Sequence, residues 1–309
     1  MYNIYNSILR AISNQERIQD IEHYLWSLRS YVESLRRGYR NSLISVDYSS
    51  FNVQAAYLLA YYPLYVEMTH KILEELFQNA HPFFAQKREL QACFLGGGPA
   101  PEAAALSIYL KRSVFQARSV VAHTFDIAAN TWSRSREVSK QLVSELASEI
   151  QFSLHGYPLN LCQRNAFPPL RDIIQTSDLF IVQNCLNEFA NTRQVFVENI
   201  EFLVQEMPAG SILIMADLKY DSAENLMRRV ESCLANRAEL QVIRSHAIGY
   251  CCLRSKLLLP GVVTRNLLTG TGDLVPKRKV EFNYLALQKL PLAVQPEYIA
   301  VPQYDNIPF

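Results

Sequence analysis

No two cysteines of this 309-residue chain stand in a CxxC pair, and there are only six, at positions 93, 162, 185, 233, 251 and 252. A zinc ribbon or a disulfide framework needs closely spaced, paired cysteines, so these read as reduced thiols. The histidines His70, His123, His155 and His246 have no metal-ligand spacing, and no metal is expected. No run of about 18 uncharged apolar residues occurs, which excludes a membrane-spanning helix and a membrane partner. The opening "MYNIYNSILRAISNQE" lacks the charged start and long apolar stretch of a secretory signal. Together these absences predict a cytoplasmic protein. Charge of one sign is missing too: the formal net charge is +1, so no global basic field argues for nucleic acid. Glycine is scarce, only ten residues, yet three of the ten are consecutive.

Those three stand in "LQACFLGGGPAPEAAAL", residues 90–106. An apolar run that reads as a buried strand leads into them, and a run that reads as a helix follows. Bare backbone between a strand end and a helix N-terminus lets a ligand approach the main chain, where free N–H groups point outward. The spacing is not G-x-G-x-x-G, so a dinucleotide is not the first choice. Asp126 lies 28 residues after Gly98, at the end of the next apolar strand, "VVAHTFD". A carboxylate there can accept both hydroxyls of a ribose; its other reading is the cap of the helix that follows.

Around this point the chain alternates strand and helix. "LQACFL", "RSVVAHTF", "IQFSL", "SDLFIVQN", "GSILIMADL", "LQVIRSHAI" and "VEFNYLALQK" read as strands, with helices after most of them. Continuous apolar strands between helices imply a parallel sheet covered on both faces. No clear helix separates the last two strands, so an antiparallel final strand is expected. Ahead of the alternation the sequence is helical. Ile18, Ile21, Leu25, Leu28, Val32 and Leu35 fall at steps of three and four and predict one helix face over 17–36, with Gly38 as its stop. "VQAAYLLAYYPLYVEMTHKILEELF" is a second helical run that Pro63 should kink or divide. Its tyrosines Tyr57, Tyr61, Tyr62 and Tyr65 are expected to pack on the main domain with their hydroxyls at water; the alternative is that some of them line a substrate pocket, with Tyr61 the catalytic candidate.

The segments "FLGGGPAPEA", "FDIAANTW", "SDLFIVQNCLNEFA", "MPAGSILIMADL" and "KVEFNYLALQK" resemble, in order, the motifs of the class I S-adenosylmethionine-dependent methyltransferases. The resemblance spans about residues 88–290. It implies a Rossmann-like, doubly wound α/β fold: a mostly parallel seven-stranded sheet with an antiparallel last strand, here preceded by a helical segment. It implies S-adenosylmethionine as cofactor, with Gly96, Gly97 and Gly98 beside its methionine part and Asp126 on its ribose. Glu102 would organise the glycine turn, and Ile127 joins the cofactor-binding set. The family's acidic residue after the third strand is missing from "SLHGYPLNLC", which leaves Asn160 or backbone amides near the adenine. Asn184, Asn187 and Glu188, after the fourth strand, would face the methyl group as catalytic candidates, Asn184 also touching cofactor; helix capping is their competing role. Asp217 and Tyr220 rank second. The expected organisation is 1–87 as a helical cap or lid, 88–290 as the cofactor-binding domain and 291–309 as an extended tail.

The acceptor expected on this resemblance is a small molecule or a peptide, and a homodimer is compatible with it. Two alternatives stay open. "AAYLLAYYPLYVEMTHKILEEL" resembles methyltransferase-like proteins of mitochondrial small-ribosomal-subunit assembly, which would make RNA the partner; their cysteine cluster and a dense basic stripe are missing here. Nicotianamine synthases share the sheet, a helical N-terminal part and a similar glycine turn, and transfer an aminocarboxypropyl group instead. Last stands a cofactor-binding scaffold without catalysis.

Overall fold

The computed structural model describes residues 3–40, 46–77, 87–112 and 117–291. The expected tail, apart from Pro291, lies outside these residues. Among the described residues, five helices precede the first strand. α1 (Ile4–Glu16) starts at Asn3, whose side chain accepts from the Asn6 N–H. The stripe expected as one helix over 17–36 is divided: α2 (Ile21–Ser27) and α3 (Arg29–Gly38) meet at Leu28, whose ψ of −9° unwinds the turn. Asp20 caps α2 by accepting from the N–H groups of Glu22 and His23. Despite the break, Leu25, Leu28, Val32 and Leu35 all face inward and are buried. α4 (Phe51–Ala60) and α5 (Tyr62–Phe77) are separated at Tyr61. Pro63 is the second residue of α5, a place where its missing N–H has no helical partner to lose.

The strand–helix alternation follows as β1 (Glu89–Leu95), α6 (Pro101–Arg112), β2 (Ser119–Asp126), α7 (Ser133–Leu146), β3 (Gln151–Pro158), α8 (Arg171–Thr176) and β4 (Leu179–Gln183). Then come α9 (Arg193–Glu206), β5 (Ile212–Leu218), α10 (Asp221–Leu234), β6 (Leu240–Arg244), β7 (Cys251–Arg254), α11 (Gly261–Asn266) and β8 (Lys279–Lys289). The sheet runs β3-β2-β1-β4-β5-β8-β6. β1 to β5 are parallel, and β8 is antiparallel to β5, β6 and β7. Every residue of β4 and β5 is buried, as strands covered on both faces should be.

One expectation changes: the sheet has eight strands, not seven. β8 is 11 residues long, and β6 pairs only with its Ala286–Lys289 end. β7, from the stretch between the last two expected strands, pairs with the other end, Lys279–Phe282. No helix among the described residues is long and apolar enough to cross a membrane.

The N-terminal helices share one apolar core with the sheet. Ile8, Leu25, Leu59 and Met68 belong to the same buried cluster as Ala104, Ala105, Leu142 and Ile181. Polar ties reinforce it: the Thr69 hydroxyl donates to Gln183 Oε1 at 2.6 Å, and the Ser135 hydroxyl to Gln54 Oε1 at 2.6 Å. A chain beginning at residue 81 would expose α6 and α7 along this face, and each buried Leu, Ile or Met removed forfeits about 1.5–3 kcal/mol. Such a chain should aggregate or lose its cooperative melt. A soluble, cooperatively folded 81–309 fragment seen by calorimetry would make residues 1–80 an independent unit.

Candidate active site

Strand order reverses between β1 and β4, which flank each other while their following helices pack on opposite faces, and ligands bind an open α/β sheet at the carboxyl edge of such a switch point. Here the chain leaves β1 through Gly96 (φ +69°), Gly97 and Gly98 (φ +47°), and the Gly96 N–H donates to the Phe125 carbonyl at 2.7 Å. What demands the glycines lies beneath them. A Cβ on Gly96 would stand 2.5 Å from Cys185 Sγ, and one on Gly97 2.6 Å from Thr124 Oγ1. Left-handed φ and close packing therefore exclude side chains, which leaves the turn's backbone bare toward the cavity above.

Asp126 ends β2 and locks this turn. Its Oδ2 accepts from the Gly98 N–H at 3.0 Å and its Oδ1 from the Ala128 N–H at 2.7 Å. It is not the cap of α7, whose first flanking residue is Trp132 with no side-chain cap bond. It caps instead the short turn that begins at Ala128. Burial pushes its pKa up, while the two N–H groups and the Arg136 guanidinium pull it back.

Above the turn lies a cavity of about 430 Å³, within the size range of small-molecule sites. Gly96, Gly97, Gly98, Glu102, Asp126, Ile127, Asn160, Asn184, Asn187 and Glu188 all border it. Tyr61 does not; it packs behind Tyr57, ring centroids 5.7 Å apart, with Arg36 over its face at 5.0 Å. Asp217 and Tyr220 are also off the wall. Asp217 instead accepts from the N–H groups of Leu186 (2.7 Å) and Asn187 (3.3 Å), fixing the loop that carries the candidates.

The tyrosines depart from expectation. Tyr57 and Tyr65 are pocket wall, joined by Tyr39 and Tyr48 from outside the α4–α5 run. Tyr62 is fully buried, with its hydroxyl directed at the Ala100 carbonyl 3.4 Å away. Helix positions i, i+4 and i+8 put Tyr57, Tyr61 and Tyr65 in one row, and the break at Tyr61 separates its ring from the cavity. Sequence reading also passed over Trp132, whose ring lies 4.5 Å from Tyr48 and 5.5 Å from Tyr57. No local motif marks Tyr39, Tyr48 or Trp132; their grouping comes from the tertiary fold.

The candidates after β4 cap nothing. Asn184 has φ +57°, a conformation asparagine tolerates better than most residues, and its N–H donates to the Ala216 carbonyl. α9 is flanked by Thr192 with no side-chain cap bond. Asn184 Oδ1, Asn187 Oδ1 and Glu102 Oε2 are buried without a hydrogen-bond partner. Asn160 Oδ1 accepts from the Cys162 N–H at 2.9 Å, shaping the loop after β3. Glu102, in the first turn of α6, is 2% exposed, and burial outweighs its backbone hydrogen bond, raising its pKa to about 8. Glu188 faces the open cavity; crowding by protein atoms, then the charges of Asp126 and Asp217, raise its pKa to about 7. Desolvation drives the phenols of Tyr39, Tyr57 and Tyr65 well above their usual value, so they stay neutral.

No family model and no curated protein matches this sequence. Solved structures do. A Listeria monocytogenes protein, provisionally assigned as a class I S-adenosylmethionine-dependent methyltransferase, is 11% identical with a TM-score of 0.44, over 96% of this chain and 90% of its own. An O-methyltransferase family protein from Burkholderia thailandensis is 11% identical (TM-score 0.42, 87% and 70% covered). An rRNA methylase from Streptococcus thermophilus is 12% identical (TM-score 0.34, 73% and 97% covered). With every score below 0.5, the fold described here rests on the sheet order and the site on its own residues.

Glu102 yields a test of the site's electrostatics. Its folded pKa lies above the unfolded value, so the stability it contributes is full below about pH 4 and is lost as pH rises through about 8. Glu102→Gln removes that loss, which amounts to about 1.4 kcal/mol for each tenfold rise in the carboxylate's proton affinity on folding. The variant's melting temperature should match wild type near pH 4.5 and exceed it at pH 8.5. An equal difference at both pH values would mean that Glu102 is ionised in the free protein.

Proposed function

We propose that this protein is an S-adenosylmethionine-dependent methyltransferase whose acceptor is a small molecule. The observation that carries the proposal is the junction at the switch point: bare glycine backbone held by Asp126, opening into a cavity with unpartnered polar atoms in its wall. Those atoms, on Glu102, Asn184 and Asn187, are what a polar ligand would satisfy. In this reading the Gly96–Gly98 backbone and Glu102 hold the amino-acid end of the cofactor. Asp126 holds the ribose with the lone pairs that Gly98 and Ala128 leave free. Ile127, 70% exposed at the rim, covers the adenine, and Asn160 stands beside it.

When bound, the cofactor supplies an activated methyl group. The protein's share is to orient the acceptor in line with it and to exclude water. Asn184 and Asn187 orient polar groups on the acceptor side, and Glu188, with its pKa near neutral, accepts a proton where the acceptor must lose one. RNA is the weaker alternative, because among the described residues no lysine or arginine borders the cavity to meet phosphates.

Two measurements check this. Asp126→Ala should weaken S-adenosylmethionine and S-adenosylhomocysteine alike, by roughly 10- to 150-fold, since charge-assisted hydrogen bonds are worth about 1.5–3 kcal/mol. Because Asp126 also closes the glycine turn, stability should fall by about 1 kcal/mol as for a lost cap. Titration of both nucleosides into the folded variant decides; wild-type affinity would remove Asp126 from the site. Incubation with methyl-labelled cofactor and a metabolite extract should label small molecules and release S-adenosylhomocysteine. Methylthioadenosine release would point to aminocarboxypropyl transfer, and label confined to added RNA would overturn the small-molecule acceptor.

A further inference from the structure

The wall beyond the glycine turn is unusual in its charge. Four phenols, Tyr39, Tyr48, Tyr57 and Tyr65, enclose one side with Trp132. Their rings form a continuous set: Tyr48 to Trp132 at 4.5 Å, Tyr57 to Trp132 at 5.5 Å and Tyr57 to Tyr65 at 6.2 Å. Tyr39 and Tyr48 are joined through their hydroxyls, which holds both rings in place. Three carboxyl groups, Glu102, Asp126 and Glu188, and the thiols of Cys162 and Cys185 also line the wall, where no lysine, arginine or histidine appears among the described residues. The nearby cations stand outside the lining: Arg136, whose charge acts on Asp126, and Arg36 and Lys277, over the ring of Tyr61 at 5.0 and 5.8 Å.

Aromatic faces and carboxylates both attract cations, and a wall without fixed positive charge repels anions. The cofactor accounts for two of the carboxyls, Asp126 on its ribose and Glu102 at its amino-acid end. Glu188 and the phenolic cage remain. We propose that the acceptor is an organic amine, entering as its ammonium ion against Glu188 and the tyrosine faces, and methylated on nitrogen; this rests on the methyltransferase reading above. The ammonium gives one proton to the Glu188 carboxylate and becomes a neutral amine. Its lone pair forms the N–C bond to the methyl carbon while that carbon's bond to the sulfonium sulfur breaks, with the electron pair staying on sulfur. The products are an N-methylammonium ion and the neutral thioether, and the Glu188 proton leaves to water.

The test uses the full chain saturated with S-adenosylhomocysteine, so that cofactor binding is established first and separately; its failure would sink the methyltransferase reading rather than the choice of acceptor. Matched probes are then titrated by calorimetry: butylamine, butanol and butyrate, and benzylamine, benzyl alcohol and benzoate. In at least one series the amine should bind tenfold or more tighter than the alcohol, with the carboxylate weakest. Glu188→Gln should reduce amine affinity at least fivefold while S-adenosylhomocysteine affinity stays within threefold. The proposal is overturned if alcohol or carboxylate binds as well as the amine in both series, if no amine binds, or if Glu188→Gln leaves amine affinity unchanged.

Discussion

A single residue ties three loops of the carboxyl edge together. The Asp126 side chain accepts from Gly98 after β1 and from Ala128 after β2, and its main-chain carbonyl accepts from the Leu159 N–H after β3 at 3.1 Å. The glycine turn, the turn into α7 and the loop carrying Asn160 therefore keep a common register. A carboxylate with two backbone donors still has lone pairs to offer, and they face the cavity. Holding the floor and presenting acceptors to a ligand are thus one arrangement. The glycines are its geometric counterpart: without Cβ atoms, Gly96 lies against Cys185 and Gly97 against Thr124, and Gly98 brings its N–H to Asp126.

The helices that precede the sheet build the other half of the cavity and are anchored at two places. Gln54 Nε2 donates to the Tyr48 and Thr131 carbonyls at 2.8 and 2.9 Å, fixing Tyr48 beside the turn into α7. On the far side, Thr69 and the Tyr65 carbonyl both bond the Gln183 side chain at the end of β4. Each anchor joins a wall tyrosine to a strand end or turn of the sheet, so the aromatic side of the cavity is positioned by hydrogen bonds as well as by apolar packing. Preorganisation of this kind spares a ligand the ordering of side chains on binding.

Much of this was legible in the residues. The continuous apolar runs marked the strands, and "FLGGGPAPEA" with Asp126 pointed to the carboxyl edge of the sheet, where the cavity opens. Features set by contacts far apart in sequence were hidden. Leu28 breaks a stripe whose spacing reads as unbroken, because the stripe records which face is buried and not whether the axis bends. The tyrosine row was visible, but the helix break at Tyr61 decides which ring reaches the cavity. Asp217 sits in a motif that looked like pocket wall, yet its partners are the N–H groups of Leu186 and Asn187, some 30 residues upstream. β7 was missed because four residues, Cys251–Arg254, carry too little pattern to stand out; their strand character comes from the open edge of β8.

That edge has a bearing on how the molecule is made. β8 is the last strand among the described residues but lies inside the sheet, with β5 along one side and β6 and β7 sharing the other. During synthesis β5, β6 and β7 all emerge before their common partner. Until residue 289 is available, the fully buried β5 presents one unpaired edge, and β6 and β7 have no place in the sheet. An unpaired apolar strand edge is a template for another chain. The nascent protein thus carries this exposure to misassociation after β1 to β4 have been made, and closure of the sheet by β8 ends it.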